Sequence, residues 1–279
     1  MMPLEKCLQL FQQEYERRIE KKTSVLYQRT VSEMITYCSI PFQEITTRDI
    51  RKWLCHLEEK GRAPATISKK LFGLRLFYKY CLEEQLIAHN PVKAIRLPEI
   101  NDRMPHYLLP NQLLLLQRMT ETNKRERAIV EVLYTTGVRL SELVAIQLKD
   151  IDWSERLIHI RKGKGKKARI VLFTRMCAEY LQAYLQERDS SCPYLFLNMR
   201  GTKPLGVRGI QHKFSDYSEE LGIPFSPHTL RHTFAAHLAM KGMSLDCIQT
   251  LLGHEDPHQT QIYARLYNHA RKEQYDQWM

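Results

Sequence analysis

The sequence contains no Cys-x-x-Cys pair, no long apolar run and no internal repeat, and each absence removes a class of protein. Its seven cysteines, at 7, 38, 55, 81, 177, 192 and 247, are odd in number and scattered. That argues against a disulfide framework or a cysteine-rich zinc site and for a reducing, cytoplasmic setting. No stretch approaches the roughly 18 apolar residues of a membrane span, and no leader pattern opens the chain, so no membrane partner is expected. What is present is a chain of 279 residues, 43% hydrophobic, enough for one large or two ordinary domains with real cores. The net charge is +11, and Lys and Arg outnumber Asp and Glu in residues 1–100 as well as in 101–279. Such an excess is the footprint of a phosphate-backbone binder, although a generic basic protein also shows it.

Helical periodicity dominates the first hundred residues. Leu4, Leu8, Phe11 and Tyr15 set one stripe, and Val25, Leu26, Val31, Met34 and Ile35 a second. Thr47 is placed to cap a third helix through Ile50, Trp53, Leu54 and Leu57, closed by Gly61. Pro64 opens a fourth, with Ile67, Leu71, Leu74, Phe77 and Tyr78 on one face; Lys69, Lys70, Arg75 and Lys79 lie off that stripe as candidate DNA contacts. The pattern predicts a helical domain over 1–97 and a linker over 98–106, where two prolines flank polar residues. A second domain, 107–279, is expected to carry helices near 110–119, 125–136 and 140–148. A hairpin of Leu157–Ile160 with Arg169–Phe173 follows, then helices to the end, the last over about 268–277.

Four motifs in this second stretch carry chemistry. In Thr-Gly-Val-Arg-Leu-Ser-Glu-Leu, Gly137 breaks a helix and sets Arg139 at the start of the next, a place that favours an anion. Taken alone, Arg139 also reads as a surface residue paired with Glu142. The turn Lys162-Gly163-Lys164-Gly165-Lys166-Lys167 presents flexible ammonium groups to a groove or a phosphate; its spacing is not that of a P-loop, and a strand follows it. A solvated basic turn would look the same. In His228-Thr229-Leu230-Arg231-His232, His228 and Arg231 share a helix face and can address one phosphate. The His228–His232 spacing invites a zinc reading, which the absence of an HExxH glutamate and the intervening Arg231 oppose. His237 reads as a packed helix residue. Finally, Leu-Leu-Gly-His ends at His254 and Thr-Gln-Ile-Tyr reaches Tyr263, with Tyr267 as a rival.

In their order and spacing these motifs, with Pro-His-Thr-Leu-Arg-His-Thr-Phe-Ala and Gly-Lys-Gly-Lys-Lys, resemble the tyrosine recombinase (phage integrase) family, specifically its small Xer-like members. The resemblance implies a mainly α fold: an N-terminal helical, SAM-like core-binding bundle and a C-terminal, mainly helical catalytic domain with a small antiparallel β-sheet. The two would form a C-shaped clamp on double-stranded DNA. It assigns the catalytic set to Arg139, Lys164, His228, Arg231, His254 and Tyr263, with Glu142 supporting and Lys162 and Lys166 beside the DNA. Lys162, Lys166 and Lys167 crowd Lys164, so the lysine assignment has rivals. Tyr263 would attack the scissile phosphate to give a 3′-phosphotyrosine, and a phenol of pKa about 10 needs a base, the role given to His228. Arg139 and Arg231 would grip the non-bridging oxygens, Lys164 protonate the leaving 5′-oxygen and His254 hydrogen-bond the phosphate. No cofactor, metal or ATP is implied. Four protomers would synapse two core sites through a Holliday junction, with accessory proteins as further partners. The resemblance fits resolution or integration of a mobile element, including a transposon-borne cointegrate resolvase, or of a replicon dimer. A type IB topoisomerase shares the chemistry on one duplex, and a silent DNA-binding regulator would bind without covalent capture.

Overall fold

The computed structural model describes residues 2–16, 18–98, 104–161, 168–188 and 190–279. The chain divides into two compact units, Met1–Asn101 and Asp102–Met279.

In the first unit the periodic stripes become α1 (Leu4–Tyr15), α2 (Lys21–Cys38), α3 (Thr47–Glu59) and α4 (Pro64–Glu83). Their apolar faces close on Phe11, Met34, Trp53, Leu74, Phe77 and Tyr78, all essentially without exposure. The rings meet edge-to-face, Phe77 lying 5.7 Å from both Phe11 and Phe42, the geometry that aromatic quadrupoles favour. The cap of α3 differs from expectation by one residue. Thr46, not Thr47, accepts the Asp49 amide, and the Asp49 carboxylate accepts the Thr46 amide in return. The Thr47 hydroxyl instead donates to Pro91 O at 2.8 Å, anchoring the segment after α4.

The second unit holds α5 (Pro110–Met119), α6 (Lys124–Thr136), α7 (Leu140–Leu143), β1 (Ile151–Asp152), β2 (Leu157–Ile160), β3 (Arg169–Leu172), α8 (Arg175–Gln186), α9 (Val207–Leu221), α10 (Pro227–Met240), α11 (Leu245–Leu252), α12 (His258–Gln261) and α13 (Ala264–Trp278). The strands form one antiparallel sheet in the order β1-β2-β3, with Ile158 opposite Val171 facing the core and Ile170 and Leu172 facing out. The helix expected over 140–148 is a single turn. After Leu143 the backbone is drawn into pairing: Leu195 N donates to Ile146 O, and Leu148 N to Pro193 O, which a continuing helix would forbid. The terminal helix starts earlier than expected, immediately after Tyr263, and packs on α10 of its own chain, where Ala270 is buried while Tyr275 and Trp278 stay exposed. Among the described residues no helix is long and apolar enough to cross a membrane.

α10 is the axis of this unit. Ser226 caps it, its hydroxyl accepting the Thr229 amide, and Pro227 occupies the first turn, where a missing N–H costs nothing. His237 fixes its far end. One ring nitrogen contacts Leu108 O at 3.0 Å and the other the Tyr134 hydroxyl at 3.1 Å, so the histidine expected to be a packing residue joins α10 to α6 and to the start of the unit.

Candidate active site

Two glycines let the chain turn where cations must sit. Gly137 ends α6 at φ 60° and Gly253 ends α11 at φ 63°, in the left-handed region that disfavours a side chain. A Cβ on Gly137 would also lie 2.5 Å from the Phe234 ring. The carbonyls that these turns expose are taken by guanidiniums. Arg231, 3% exposed on α10, donates to Gly137 O at 2.5 Å and to Leu252 O at 2.8 Å. Arg139, just before α7, reaches Gly253 O at 3.4 Å. Burial and the neighbouring Arg139 and Arg169 push Arg231 down to about 9, which still leaves it charged at neutral pH.

Glu142 ties the cluster together. Its carboxylate is buried and accepts four bonds, from the Arg139 amide at 2.8 Å, Arg139 Nη1 at 2.9 Å, Arg169 Nη1 at 2.8 Å and Arg169 Nη2 at 2.7 Å. Burial alone would raise its pKa, but the hydrogen bonds from Arg169 and Arg139 overcome that and hold it below the ordinary carboxylate value. Two guanidiniums thus share one carboxylate with a third, that of Arg231, close by, and the residual positive charge is what a phosphodiester would neutralise.

The chain brings Tyr263 and His254 to the same place. Tyr263, 1% exposed between α12 and α13, sets its hydroxyl 2.6 Å from His232 Nδ1, within hydrogen-bonding distance. Burial raises its pKa well above that of a free phenol. His254, after Gly253, sets Nδ1 2.9 Å from the Thr260 hydroxyl, and burial with Arg231 and Arg139 nearby pushes it down to about 4. His228 lies one turn before His232, its ring edge-on at 4.5 Å, and makes no hydrogen bond to Tyr263. It opens instead on a cavity of about 390 Å³ that Gln211, Phe214 and Ser226 also line. The rival Tyr267 is partly buried in the same apolar cluster, with Arg271 over its ring at 5.6 Å. Among the described residues no group of three His, Cys, Asp or Glu is arranged to hold a metal.

The structure therefore assembles Arg139, Glu142, Arg231, His254 and Tyr263 in one network, with His228 beside it. Lys162, Lys164 and Lys166 lie outside the described residues. Three of the four α4 cations are engaged within the first unit. Lys70 pairs with Glu33 and lies over the Trp53 ring at 5.7 Å, and Arg75 donates to Ile95 O at 2.6 Å. Lys79 makes an exposed pair with Glu83 at 3.6 Å, and Lys69 is exposed.

Sequence reasoning missed Arg169 and the contact of His232 with Tyr263. The alternation along β3 held a signal for the first, because Arg169 shares the inward face with Val171 and an inward arginine demands an acceptor.

The chain belongs to the phage integrase family: that family's signature spans residues 106–269, and the family's N-terminal SAM-like domain matches residues 8–88. Within it the chain is 34% identical over 281 residues to the tyrosine recombinase XerC of Bacillus pumilus (strain SAFR-032), covering 92% of each chain. Among solved structures it resembles the XerA recombinase, at 30% identity and a TM-score of 0.56 over 98% of both chains. It also resembles a lambda integrase tetramer bound to a Holliday junction, at 21% identity and a TM-score of 0.76 over 92% of this chain and 79% of that one. The activity of this chain is site-specific DNA recombination by tyrosine cleavage.

Proposed function

We propose that Tyr263 breaks the DNA strand by attacking the scissile phosphate, leaving a 3′-phosphotyrosine and a free 5′-hydroxyl. Arg139 and Arg231 hold the non-bridging oxygens, His254 hydrogen-bonds one of them, and His228 stands at the phosphate from the open side. Lys164 protonates the departing 5′-oxygen. The bond energy stays in the phosphotyrosine, so attack by a 5′-hydroxyl of the partner duplex rejoins strands with no ATP or divalent ion. The observation that supports this reading most is the meeting of a buried and a partly buried guanidinium, a neutral histidine and a buried tyrosine from three separate motifs. Fixed guanidiniums stabilise charge that grows in the transition state and need no reorganisation.

The assembly is a homotetramer on two synapsed core sites that passes through a Holliday junction, the DNA to which the lambda integrase tetramer is bound. In the cytoplasm it resolves or integrates a mobile element or a replicon dimer. The α13 tail leaves its exposed Tyr275 and Trp278 for a neighbouring protomer. A nicked suicide duplex tests the chemistry: Tyr263→Phe binds the site normally and forms no covalent adduct, whereas Tyr267→Phe forms it. The opposite pattern moves the nucleophile to Tyr267.

A further inference from the structure

Among the described residues, the polar group within hydrogen-bonding reach of the Tyr263 phenol is His232 Nδ1, at 2.6 Å. At 1% exposure the tyrosine is withdrawn from bulk water, and His232 is the proton acceptor at hand. A hydroxyl donates only to a ring nitrogen that carries no proton, so this role requires the His232 tautomer with its proton on Nε2. Burial, with His228 and Arg231 close by, keeps this imidazole neutral, down to about 4. The groups that face it are His228 and Arg231 from α10, His254 from the end of α11, and Tyr263 itself. His228, the base expected from the motif, meets the His232 ring edge-on at 4.5 Å, and the contact to the phenol is made by His232.

We infer that His232 is a catalytic residue of this enzyme, the acceptor of the Tyr263 phenolic proton during strand cleavage and its donor during rejoining. The inference rests on Tyr263 being the nucleophile. In cleavage the Tyr263 O–H bond breaks, its electron pair forms the bond from Oη to phosphorus, and the proton moves to His232 Nδ1. The bond from phosphorus to the 5′-oxygen breaks with its electron pair, and that oxygen takes a proton from Lys164. Rejoining reverses each transfer, the imidazolium returning its proton to the phenolate as it leaves. The surrounding cations fit this cycle. Without DNA they hold His232 unprotonated and ready to accept, and the phosphate, by neutralising Arg139 and Arg231, makes the imidazolium easier to form as the bond to phosphorus grows.

The decisive variant is His232→Asn, whose side-chain oxygen can receive the tyrosine's hydrogen bond yet cannot keep a proton. Single-turnover cleavage of the suicide duplex at neutral pH should fall by about 10²–10⁴-fold, with DNA binding unchanged. Replacing Tyr263 by 3,5-difluorotyrosine, a far more acidic phenol, should recover most of that loss in His232→Asn and change the unsubstituted enzyme little. Cleavage by His232→Asn at the ordinary rate, or a deficit that the fluorinated tyrosine leaves intact, overturns the assignment. So does recovery in His228→Asn in place of His232→Asn. An adduct formed by Tyr263→Phe would instead overturn the nucleophile reading beneath it. Should the asparagine variant not fold, ¹⁵N-histidine spectra of the intact chain decide. Nδ1 of His232 must be unprotonated at neutral pH and must respond to Tyr263→Phe; a proton on Nδ1 sinks the proposal.

Discussion

The two units use arginine and lysine in opposite ways. In the first, Lys70 and Arg75 brace the fold from its edge, against Glu33, the Trp53 ring and a backbone carbonyl, around a core of aromatic and aliphatic side chains. In the second, Arg139, Arg169 and Arg231 are drawn partly or wholly inside, around a single carboxylate and four backbone carbonyls. Burying like charges together stabilises nothing by itself, because desolvation and mutual repulsion both oppose it. The contrast teaches that the first unit is organised for its own cohesion, whereas the second holds clustered cations whose charge an anion would offset.

The largest expected effect sets Arg231→Ala against Phe77→Ala. Removing the guanidinium should lower single-turnover cleavage by about 10³-fold or more while single-site binding changes little, since the lost contact matters most in the transition state. Removing the Phe77 ring should cost about 3–5 kcal/mol of stability and leave the cleavage rate of the protein that remains folded near its original value. Denaturant melts beside cleavage assays check both; equal catalytic losses would erase the distinction between the units.

An acid titration provides an intermediate effect. His232 and His254 are pushed down to about 4, and His228 and His237 are lowered as well. In the unfolded chain these groups take up protons near pH 6.5, so the second unit loses stability as pH falls from there toward 4. In the first unit the Asp49 carboxylate of the α3 cap is held below 3.8 by the Thr46 hydroxyl, and its contribution is lost only as pH falls through still lower values. Segment-resolved hydrogen exchange, corrected for intrinsic rates, should show residues 107–279 opening first between pH 6.5 and 4. Earlier opening of residues 2–98 would contradict the assignment.

Much of this was legible beforehand because it is local. Apolar spacing marked α1 to α4, Gly137 and Gly253 marked helix ends, and the motifs marked Arg139, Arg231, His254 and Tyr263, which the fold brings close together. What stayed hidden depends on distant partners. Glu142 meets Arg169 across 27 residues, a pairing set by the register of β3 and not by spacing along the chain. Helix 140–148 stops at Leu143 because Pro193–Leu195 compete for its backbone, and nothing near Leu143 announces them. His232 looked like half of a zinc pair because its partner, Tyr263, lies 31 residues on. Thr46 and Thr47 are adjacent and chemically alike, and only the reach of Asp49 back to Thr46 selects the cap.

The smallest expected effects come from two helix caps. Thr46→Ala and Ser226→Ala should each cost about 1 kcal/mol in chemical denaturation. Only the second should also slow cleavage, by several-fold, because Ser226 sets the first turn of the helix that carries His228 and Arg231. Equal cleavage rates for the two variants would mean that α10 holds its register without its cap.

The carbonyls that grip Arg231 and Arg139 belong to Gly137, Leu252 and Gly253, at the C-terminal ends of α6 and α11. Aligned peptide dipoles concentrate roughly half a negative charge at such an end. Two helices therefore supply, in fractional and immovable form, much of the counter-charge that keeps these guanidiniums inside the protein. A second carboxylate there would do the same more strongly, but it would confront the incoming phosphate with a full charge of like sign. Fractional charges secure the cations while leaving them attractive to an anion, which permits a site to be preformed before its substrate arrives.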